Sequence, residues 1–359
     1  MLTWGDDYPI HQTPEPVAFA GSDRNFYDRY FFNGYSPDGD IFIAGALGVY
    51  PHLDVIDGAF CVLIDGKQHN IRASRRLHSE RMDLQVGPIS VRIIEPLRRI
   101  GLKVAANDSG IMADLEFAGR HHPIEEPRFM RRIGPRMFMD YTRLTQNGTW
   151  RGKLVVQGRE IDVSGWFGTR DRSWGIRPVG APDSQPPPSV SQFFWLWAPF
   201  NFADHAVFFH TNDDANGRPW NRRAVIERIG EGATEFEHPT PALTYHQGTR
   251  RLASTQVELG DGARLTIRPT DKTFYMSGLG YTHPVWGHGR DHGELEVALD
   301  TLECTSLDDN APANVHIQAL ATATLEKDGA RHEGIGVLEQ LLLGPHEPSG
   351  FASMLDGAR

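Results

Sequence analysis

The sequence has few of the residues that mark several large classes of protein. Only two cysteines occur among 359 residues, Cys61 and Cys304, so a disulfide framework and a cysteine-based zinc site are both excluded. No apolar run approaches the roughly 18 residues of a membrane-spanning helix, and we expect no membrane insertion. The first residues lack the basic start and apolar run of a secretory signal. The cytoplasm is therefore the expected location.

Signatures of nucleotide and zinc enzymes are also absent from the sequence. It contains no glycine-rich phosphate loop, no Gly-x-Ser-x-Gly elbow and no His-Glu-x-x-His motif. The formal net charge of −10 argues against broad binding to nucleic acid or to an anionic membrane surface. We expect a protein that needs no cofactor and binds a small molecule. A homodimer remains open.

Short apolar segments bounded by turns are abundant. The 37 glycines and 24 prolines are scattered rather than periodic, which is typical of many short elements joined by turns. Asp65-Gly66 predicts a hairpin between residues 59–64 and 68–72, because these residue types adopt the positive φ angles of a tight turn. Further turns of this kind are predicted at Asn147-Gly148, Gln157-Gly158, Asp261-Gly262 and Asp328-Gly329.

The spacing of these segments predicts antiparallel meanders in an all-β protein. The best helical candidate, residues 337–343, fits a terminal strand equally well. Residues 179–190 include three consecutive prolines, which favour an extended linker. We therefore predict β-barrel domains at residues 1–178 and 191–359. One large β domain is the alternative.

The first candidate site is the motif at residues 165–177, just before the proline-rich run. Its Asp171 lies between Arg170 and Arg172, which should keep the carboxyl group ionised. Arginine that stacks on Trp174 could fix a ligand. The alternative is a purely structural group of salt bridges, with Trp174 closing the barrel mouth.

A second motif, residues 278–292, concentrates aromatic and histidine residues in a glycine-rich stretch. Tyr281, His283, Trp286 and His288 belong to it, and histidine is the usual general acid or base near neutral pH. His288 and His292 have the spacing that binds metal on a helix, but the glycines argue against a helix, so we expect no metal there. Structural or surface histidines are the alternative.

The third motif, residues 193–202, is apolar throughout. Strand alternation places Phe194 and Leu196 on one face and Trp195 and Trp197 on the other. One face should pack a core. The other face should also be filled by core packing, or it should line an aromatic cavity for a hydrophobic ligand.

A family resemblance rests on residues 170–175, Arg-Asp-Arg-Ser-Trp-Gly, and on residues 280–289 and 336–339. The first run resembles the Arg-Asp-His-Ser-Trp-Gly signature of AttH-like proteins, which are related to carotenoid 1,2-hydratases (hydroxyneurosporene synthases). The resemblance implies two lipocalin-like (calycin) antiparallel β-barrels in tandem. It also implies addition of water to an alkene, or cyclisation, although many relatives have no assigned activity.

One departure from the signature affects the expected chemistry. Arg172 occupies the position of the signature histidine, and arginine stays protonated, so it can hold charge but cannot transfer protons. If the signature histidine transfers protons in the hydratases, another group must do so in this protein. Tyr281, His283 and His288 are the candidates.

Together these observations predict a cofactor-independent lyase or isomerase of the hydratase or dehydratase type. Its substrate would be a hydrophobic small molecule such as a terpenoid, steroid or aromatic metabolite. The predicted catalytic residues are Asp171, Tyr281, His283 and His288. The predicted substrate-binding residues are Arg170, Arg172, Trp174, Trp195, Trp197, His210, Trp286 and Glu339. The alternatives are a carrier of apolar ligands, whose cavity would be apolar with polar groups only at its rim, and a scaffold without a cavity.

Overall fold

The computed structural model describes residues 3–19, 23–134, 136–179 and 192–359. In these ranges the chain forms β-strands and short 3-10 helices and contains no α-helix. The predicted all-β class is therefore confirmed. Residues 180–190 of the predicted linker lie outside the described residues. The 3-10 helices are Trp4–Asp7, Pro51–Leu53, Met276–Leu279, Cys304–Ser306 and Glu347–Ser349.

The strands are numbered in chain order. They are β1 (Phe26–Tyr35), β2 (Phe42–Tyr50), β3 (Val55–Ile64), β4 (Lys67–Arg76), β5 (Gln85–Val86), β6 (Ile89–Glu95), β7 (Arg99–Val104), β8 (Ile111–Gly119), β9 (Ile124–Glu125), β10 (Phe129–Ile133), β11 (Arg136–Val156), β12 (Arg159–Asp162), β13 (Trp166–Ile176), β14 (Phe193–Asn201), β15 (His205–Asp213), β16 (Pro219–Arg228), β17 (Gly232–Phe236), β18 (Thr240–Tyr245), β19 (Leu252–Gly260), β20 (Ala263–Tyr275), β21 (Leu295–Glu303), β22 (His316–Lys327) and β23 (Ala330–Leu343).

The chain divides into two compact units, and the division does not follow a single cut in the sequence. The first unit comprises Met1–Ser36, Ile41–Pro188 and Gly278–Leu302. The second comprises Pro37–Asp40, Ser189–Ser277 and Glu303–Arg359. The domain boundaries expected from the sequence placed residues 278–302 in the C-terminal domain. The structure groups them with the first unit because β21 joins the first sheet beside β4.

The two sheets form a nearly closed barrel and a half-barrel. In the first sheet the strands follow the order β21-β4-β3-β2-β1-β13-β11-β8-β7-β6-β5. In the second sheet the order is β17-β16-β15-β14-β23-β22-β20-β19-β18. No helix in the described ranges has both the length and the apolarity needed to cross a bilayer.

Each unit has its own core on one face of its sheet. In the first unit the core includes Phe32, Phe60 and Leu102. In the second, Phe194 and Leu196 of β14 lie in the core, as the strand alternation predicted.

Trp150 is one of two tryptophans in the core of the first unit. It is fully buried, and its indole N–H donates to the carbonyl oxygen of Asn33 at 2.8 Å. Phe117 packs edge-on against it at 5.3 Å between ring centroids. The indole lies over Gly34 and Gly168, where an added Cβ atom would come within 2.6 Å and 2.4 Å of its Nε1 atom. The two glycines therefore leave the space that the indole fills.

Four of the five predicted turns are confirmed, because both central residues have positive φ. They are Asp65-Gly66, Gln157-Gly158, Asp261-Gly262 and Asp328-Gly329. The turn predicted at Asn147-Gly148 is wrong, because both residues lie inside the 21-residue strand β11. A Cβ atom at Gly148 would lie 2.2 Å from the Phe117 ring, so this glycine permits close packing. Residues 337–343 form part of β23, the strand alternative.

We predict that Gly168→Ala destabilises the first unit. The new Cβ atom would lie 2.2 Å from the Asn33 carbonyl oxygen as well as against Trp150, and overpacking of this kind costs about 1–3 kcal/mol. Urea denaturation measures the loss. Gly101→Ala is the control, because its nearest contact would be an ordinary 3.6 Å. Equal stability of the two variants would contradict this account of the packing.

Candidate functional site

The face of the first sheet opposite its core carries a row of mostly polar residues across six strands. The cross-strand pairs are Ser74–Asp57, Asp57–Gly48, Gly48–Arg29, Arg29–Ser173 and Ser173–Arg143. Because paired residues of antiparallel strands point to the same face, this row places Asp57 and Arg29 on either side of Gly48. A Cβ atom at Gly48 would lie 2.5 Å from the Tyr50 hydroxyl and 3.0 Å from Asp57 Oδ1. Glycine thus makes room for these polar groups.

The glycine-rich segment of residues 278–292 is fastened to this face by hydrogen bonds within the first unit. The backbone N–H of Gly289 donates to Asp57 Oδ2 at 2.7 Å. Arg29 Nη1 lies 2.8 Å from His288 Nδ1, and the Ser74 hydroxyl donates to the Arg290 carbonyl at 3.2 Å. The motif found in the sequence therefore forms one wall of the site.

Asp57 is the most perturbed carboxyl group of this site. Burial raises its pKa from the ordinary 3.8 to about 6, although Arg29 and the Gly289 N–H favour the charged form. The Tyr50 hydroxyl also donates to Asp57, at 3.3 Å. A carboxyl group with this pKa exchanges a proton near neutral pH, as general acid–base catalysis requires.

His288 is held in one tautomer by its neighbours. Arginine has only donors, so His288 Nδ1 must accept from Arg29, and Nε2–H then donates to the Leu279 carbonyl at 2.9 Å. Both ring nitrogens are thus engaged. The ring also contacts Tyr281 edge-on at 4.5 Å.

Tyrosines surround two guanidinium groups beside Asp57. Arg29 lies 4.9 Å above the Tyr281 ring, and Arg177 lies 4.5 Å above the Tyr27 ring. Burial raises the pKa of Tyr27 and of Tyr50 above 10. Both phenols therefore stay protonated at neutral pH.

A small cavity opens between the sheet face and the 278–292 segment. Its volume is about 20 Å³, enough for one water molecule. Ionisable and polar groups converge on it. The lining of the cavity includes Arg29, Asp57, Arg72, Ser74, Trp286 and His288. This small cavity, lined by both charged and apolar residues, is not the large aromatic cavity that the sequence left open.

Asp171 is on the same face of the sheet but is engaged elsewhere. Its Oδ2 accepts from Arg143 Nη2 at 2.8 Å, and Arg143 Nε lies 3.3 Å from Glu126. Strand alternation places Arg170 and Arg172 on the opposite face of β13. The structure therefore separates Asp171 from the two arginines that flank it in the sequence.

The remaining residues of the 165–177 motif lie on that opposite face. Arg172 forms an ion pair with Asp28 and stacks on Tyr30 at 4.2 Å. Arg170 donates to the Gln146 side chain at 2.7 Å. Trp174 is partly exposed and lies 5.8 Å from the Arg172 guanidinium. These contacts do not bring the three residues to the cavity.

His283 and Trp286 lie on the 278–292 segment itself. His283 Nδ1 accepts from the backbone N–H of Trp286 at 2.9 Å, and its Nε2 lies 4.0 Å from Asp300. Burial lowers the pKa of His283, so this ring is neutral at neutral pH. Trp286 stacks on His292 at 4.0 Å and lines the cavity.

The other predicted ligand-binding residues come together in the second unit. Glu339 is buried and accepts hydrogen bonds from Trp195 Nε1 at 3.0 Å and from Gln318 Nε2 at 2.8 Å. His316 Nε2 lies 2.9 Å from the same carboxylate.

The aromatic rings extend this buried group. His210 lies 6.0 Å from Trp195 between ring centroids. Trp197 pairs with Glu339 across the β14–β23 ladder, so it shares this face of the sheet. The described contacts identify a hydrogen-bonded polar network within the second unit.

We predict that Glu339→Ala destabilises the protein by about 3–5 kcal/mol, because removing a buried charge leaves its polar partners buried without an acceptor. Glu339→Gln should cost less, since its carbonyl oxygen still accepts. Chemical denaturation measures both. Glu333→Ala, an exposed position on the same strand, is the control. The network would lose its assigned role if Glu339→Ala behaved like the control.

Sequence reasoning missed Arg29 and Asp57. The signal for Asp57 was a single carboxyl group in an otherwise apolar strand, residues 55–64. Arg29 gave a similar signal among the aromatic residues of β1. Neither signal indicates which residue will be the partner, because the partners, His288 and Gly289, are distant in the sequence.

We predict a specific pH dependence of stability from Asp57. Because its folded-state pKa is raised, its stabilising contribution is complete below pH about 4 and is lost as the pH rises through about 6. Wild-type stability should therefore fall relative to Asp57→Asn over this window, by about 1–2 kcal/mol after solvent screening, and level off above it. Urea unfolding from pH 4 to pH 7 tests this. Asp261→Asn, in an exposed turn, is the control, and a stability difference independent of pH would contradict the raised pKa.

Comparison with solved structures identifies the fold. A Nitrosomonas europaea protein described as a candidate AttH has a TM-score of 0.55 at 13% identity, and the match covers 93% of this chain and 98% of that chain. CghA, solved with Sch210972, has a TM-score of 0.52 at 9% identity, and the match covers 89% of each chain. The resemblance to AttH-like proteins and the lipocalin-like fold are confirmed.

A third structure and two sequence comparisons complete the picture. Kievitone hydratase from Nectria haematococca has a TM-score of 0.47 at 10% identity, with 88% of this chain and 89% of that chain covered. No curated protein matches the sequence. A family model described as "Family of unknown function (DUF8625)" matches residues 2–352.

Proposed function

The chain belongs to the family of unknown function DUF8625, and we propose that it is a cofactor-independent lyase that adds or removes water. The observation that carries the proposal is Asp57, a carboxyl group with a pKa of about 6 at a cavity that Arg29 and Arg72 also line. CghA, a protein of the same fold, was solved with Sch210972, which supports a small-molecule ligand.

The size and lining of the cavity define the part of the substrate that would react there. A volume of about 20 Å³ admits a water molecule or a hydroxyl-sized group. The apolar body of the substrate would remain outside, against the stacked Trp286 and His292 rings. We therefore propose a hydrophobic substrate whose reacting carbon lies beside a carbonyl group, because two arginines at the cavity favour an oxygen that develops negative charge.

In the dehydration direction, ionised Asp57 takes the proton from the carbon next to the carbonyl group. The electron pair of the broken C–H bond forms the C=C bond while the C–O bond to the hydroxyl group breaks. The protonated Asp57 carboxyl group, which lines the cavity, then gives this proton to the departing hydroxide, which leaves as water and restores the ionised carboxylate. Hydration is the reverse sequence.

This assignment changes the roles proposed from the sequence. Asp57 replaces Asp171 as the proton acceptor, because Asp171 is paired with Arg143. Tyr281 and His288 position Arg29, and His283 shapes the turn that carries Trp286. A carrier is disfavoured because charged groups line the cavity itself and not only its rim.

We predict that purified full-length protein exchanges oxygen between H₂¹⁸O and a β-hydroxy ketone that bears an aromatic body. Asp57→Asn should lower the exchange rate by roughly 10²–10⁴-fold, the usual contribution of a general base. Mass spectrometry of the ketone measures the exchange. The wild-type rate should rise as the pH passes through about 6 and then level off, because Asp57 acts in its ionised form.

Asp171→Asn is the matched comparison, since it changes the other buried aspartate of the same sheet face. Circular dichroism confirms that both variants are folded. An enzyme that loses exchange only in Asp171→Asn would overturn the assignment of Asp57. Binding of the ketones without any isotope exchange would instead favour the carrier.

A further inference from the structure

An aspartate and two histidines meet at two hairpin ends of the second unit. Asp204 and His205 lie at the β14–β15 turn, and His332 lies near the start of β23. One donor atom of each lies within 4.8 Å of a donor atom of the other two. Asp204 Oδ1 is 2.6 Å from His205 Nδ1, and the two imidazole rings are 4.9 Å apart and nearly perpendicular.

His205 is the most constrained member of this group. Its side chain is only 6% exposed, and Phe202 stacks on its ring at 4.5 Å. The Nε2 atom is buried and has no hydrogen-bond partner among the described residues. Buried polar atoms of this kind are uncommon and call for a partner. His332 is half-buried and Asp204 is exposed, so a ligand could enter from solvent.

We propose that Asp204, His205 and His332 bind a divalent transition-metal ion such as Zn²⁺. Two imidazole nitrogens and a carboxylate oxygen form a donor set that suits such ions, and three protein ligands leave a fourth position for water. Zinc bonds of about 2.0–2.2 Å place tetrahedral ligand atoms roughly 3.3 Å apart. The donor atoms therefore need to move by about an ångström or two, which the exposed Asp204 and the half-buried His332 allow.

A positive charge near the group could oppose metal binding. Arg228 pairs with His205 across the β15–β16 ladder and contributes to the lowered pKa of His205, after burial. Its guanidinium, however, lies 3.4 Å from Glu231, which offsets its charge. Asp204 brings a second negative charge beside His205. The local balance of charge therefore does not exclude a cation.

The proposal is tested on the full chain after treatment with a chelator and dialysis. Co²⁺ titration followed by visible absorption reports the coordination geometry, and calorimetry with Zn²⁺ reports affinity and stoichiometry. We expect one ion per chain. His332→Ala should weaken Zn²⁺ binding at least roughly 10–100-fold, the loss seen when even an outer partner of a metal site is removed. Asp204→Asn should weaken it in the same direction.

His246→Ala is the control, because His246 is an exposed histidine of the same unit outside this group. Thermal unfolding gives a second readout, since an ion that binds only the folded state raises the melting temperature. The rise should appear in the wild type and in His246→Ala and be lost in His332→Ala. Folded wild type that gives neither a Co²⁺ absorption band nor heat with Zn²⁺ would overturn the proposal. So would a His332→Ala variant that binds as tightly as the wild type.

Discussion

The attachment of the 278–292 segment to the first sheet determines the chemistry of the candidate site. The Gly289 N–H of the segment donates to Asp57 of the sheet, and the Arg29 guanidinium of the sheet donates to His288 of the segment. Without this cover, the face would be open to water, and a carboxyl group in water titrates near its ordinary pKa. The same contacts fix the tautomer of His288 and form one wall of the cavity. The cover thus turns a polar sheet face into a site with a defined protonation state.

The electrostatics of the site reflect two opposing effects on one carboxyl group. Burial disfavours the charged form of Asp57, whereas Arg29, Gly289 and Tyr50 favour it. Burial has the larger effect, and the pKa rises only to about 6 because the favourable contacts offset part of it. A buried aspartate without these partners would stay protonated at neutral pH. These partners therefore keep both the protonated and the ionised form of Asp57 available near neutral pH.

Local rules predicted much of the fold, and contacts distant in sequence explain the errors. Glycine-containing turns and strand alternation depend on neighbouring residues, so four turns and the shared face of Phe194 and Leu196 in β14 follow directly from the sequence. Asn147-Gly148 has the composition of a turn, but in the structure the Phe117 ring of β8 packs directly beside Gly148. The 278–292 motif was recognised by composition, whereas its partner Asp57 was not, since nothing near residue 57 indicates that residue 289 will bind it. The sequence order places Asp171 between two arginines, but strand alternation puts Asp171 on one face of β13 and the arginines on the other.

The chain returns to the first sheet only late in its sequence, and this order affects folding during synthesis. β21 covers one side of β4, yet the ribosome must translate all of Ser189–Ser277 before it reaches that strand. β4 ends at residue 76 and β21 begins at residue 295, so at roughly 5–20 residues per second β4 remains an open edge for roughly 10–40 seconds. Exposed edges of this kind can pair with other chains. The nascent protein therefore passes through an interval in which its largest sheet is complete except for one border strand, and chaperone binding is most valuable during that interval.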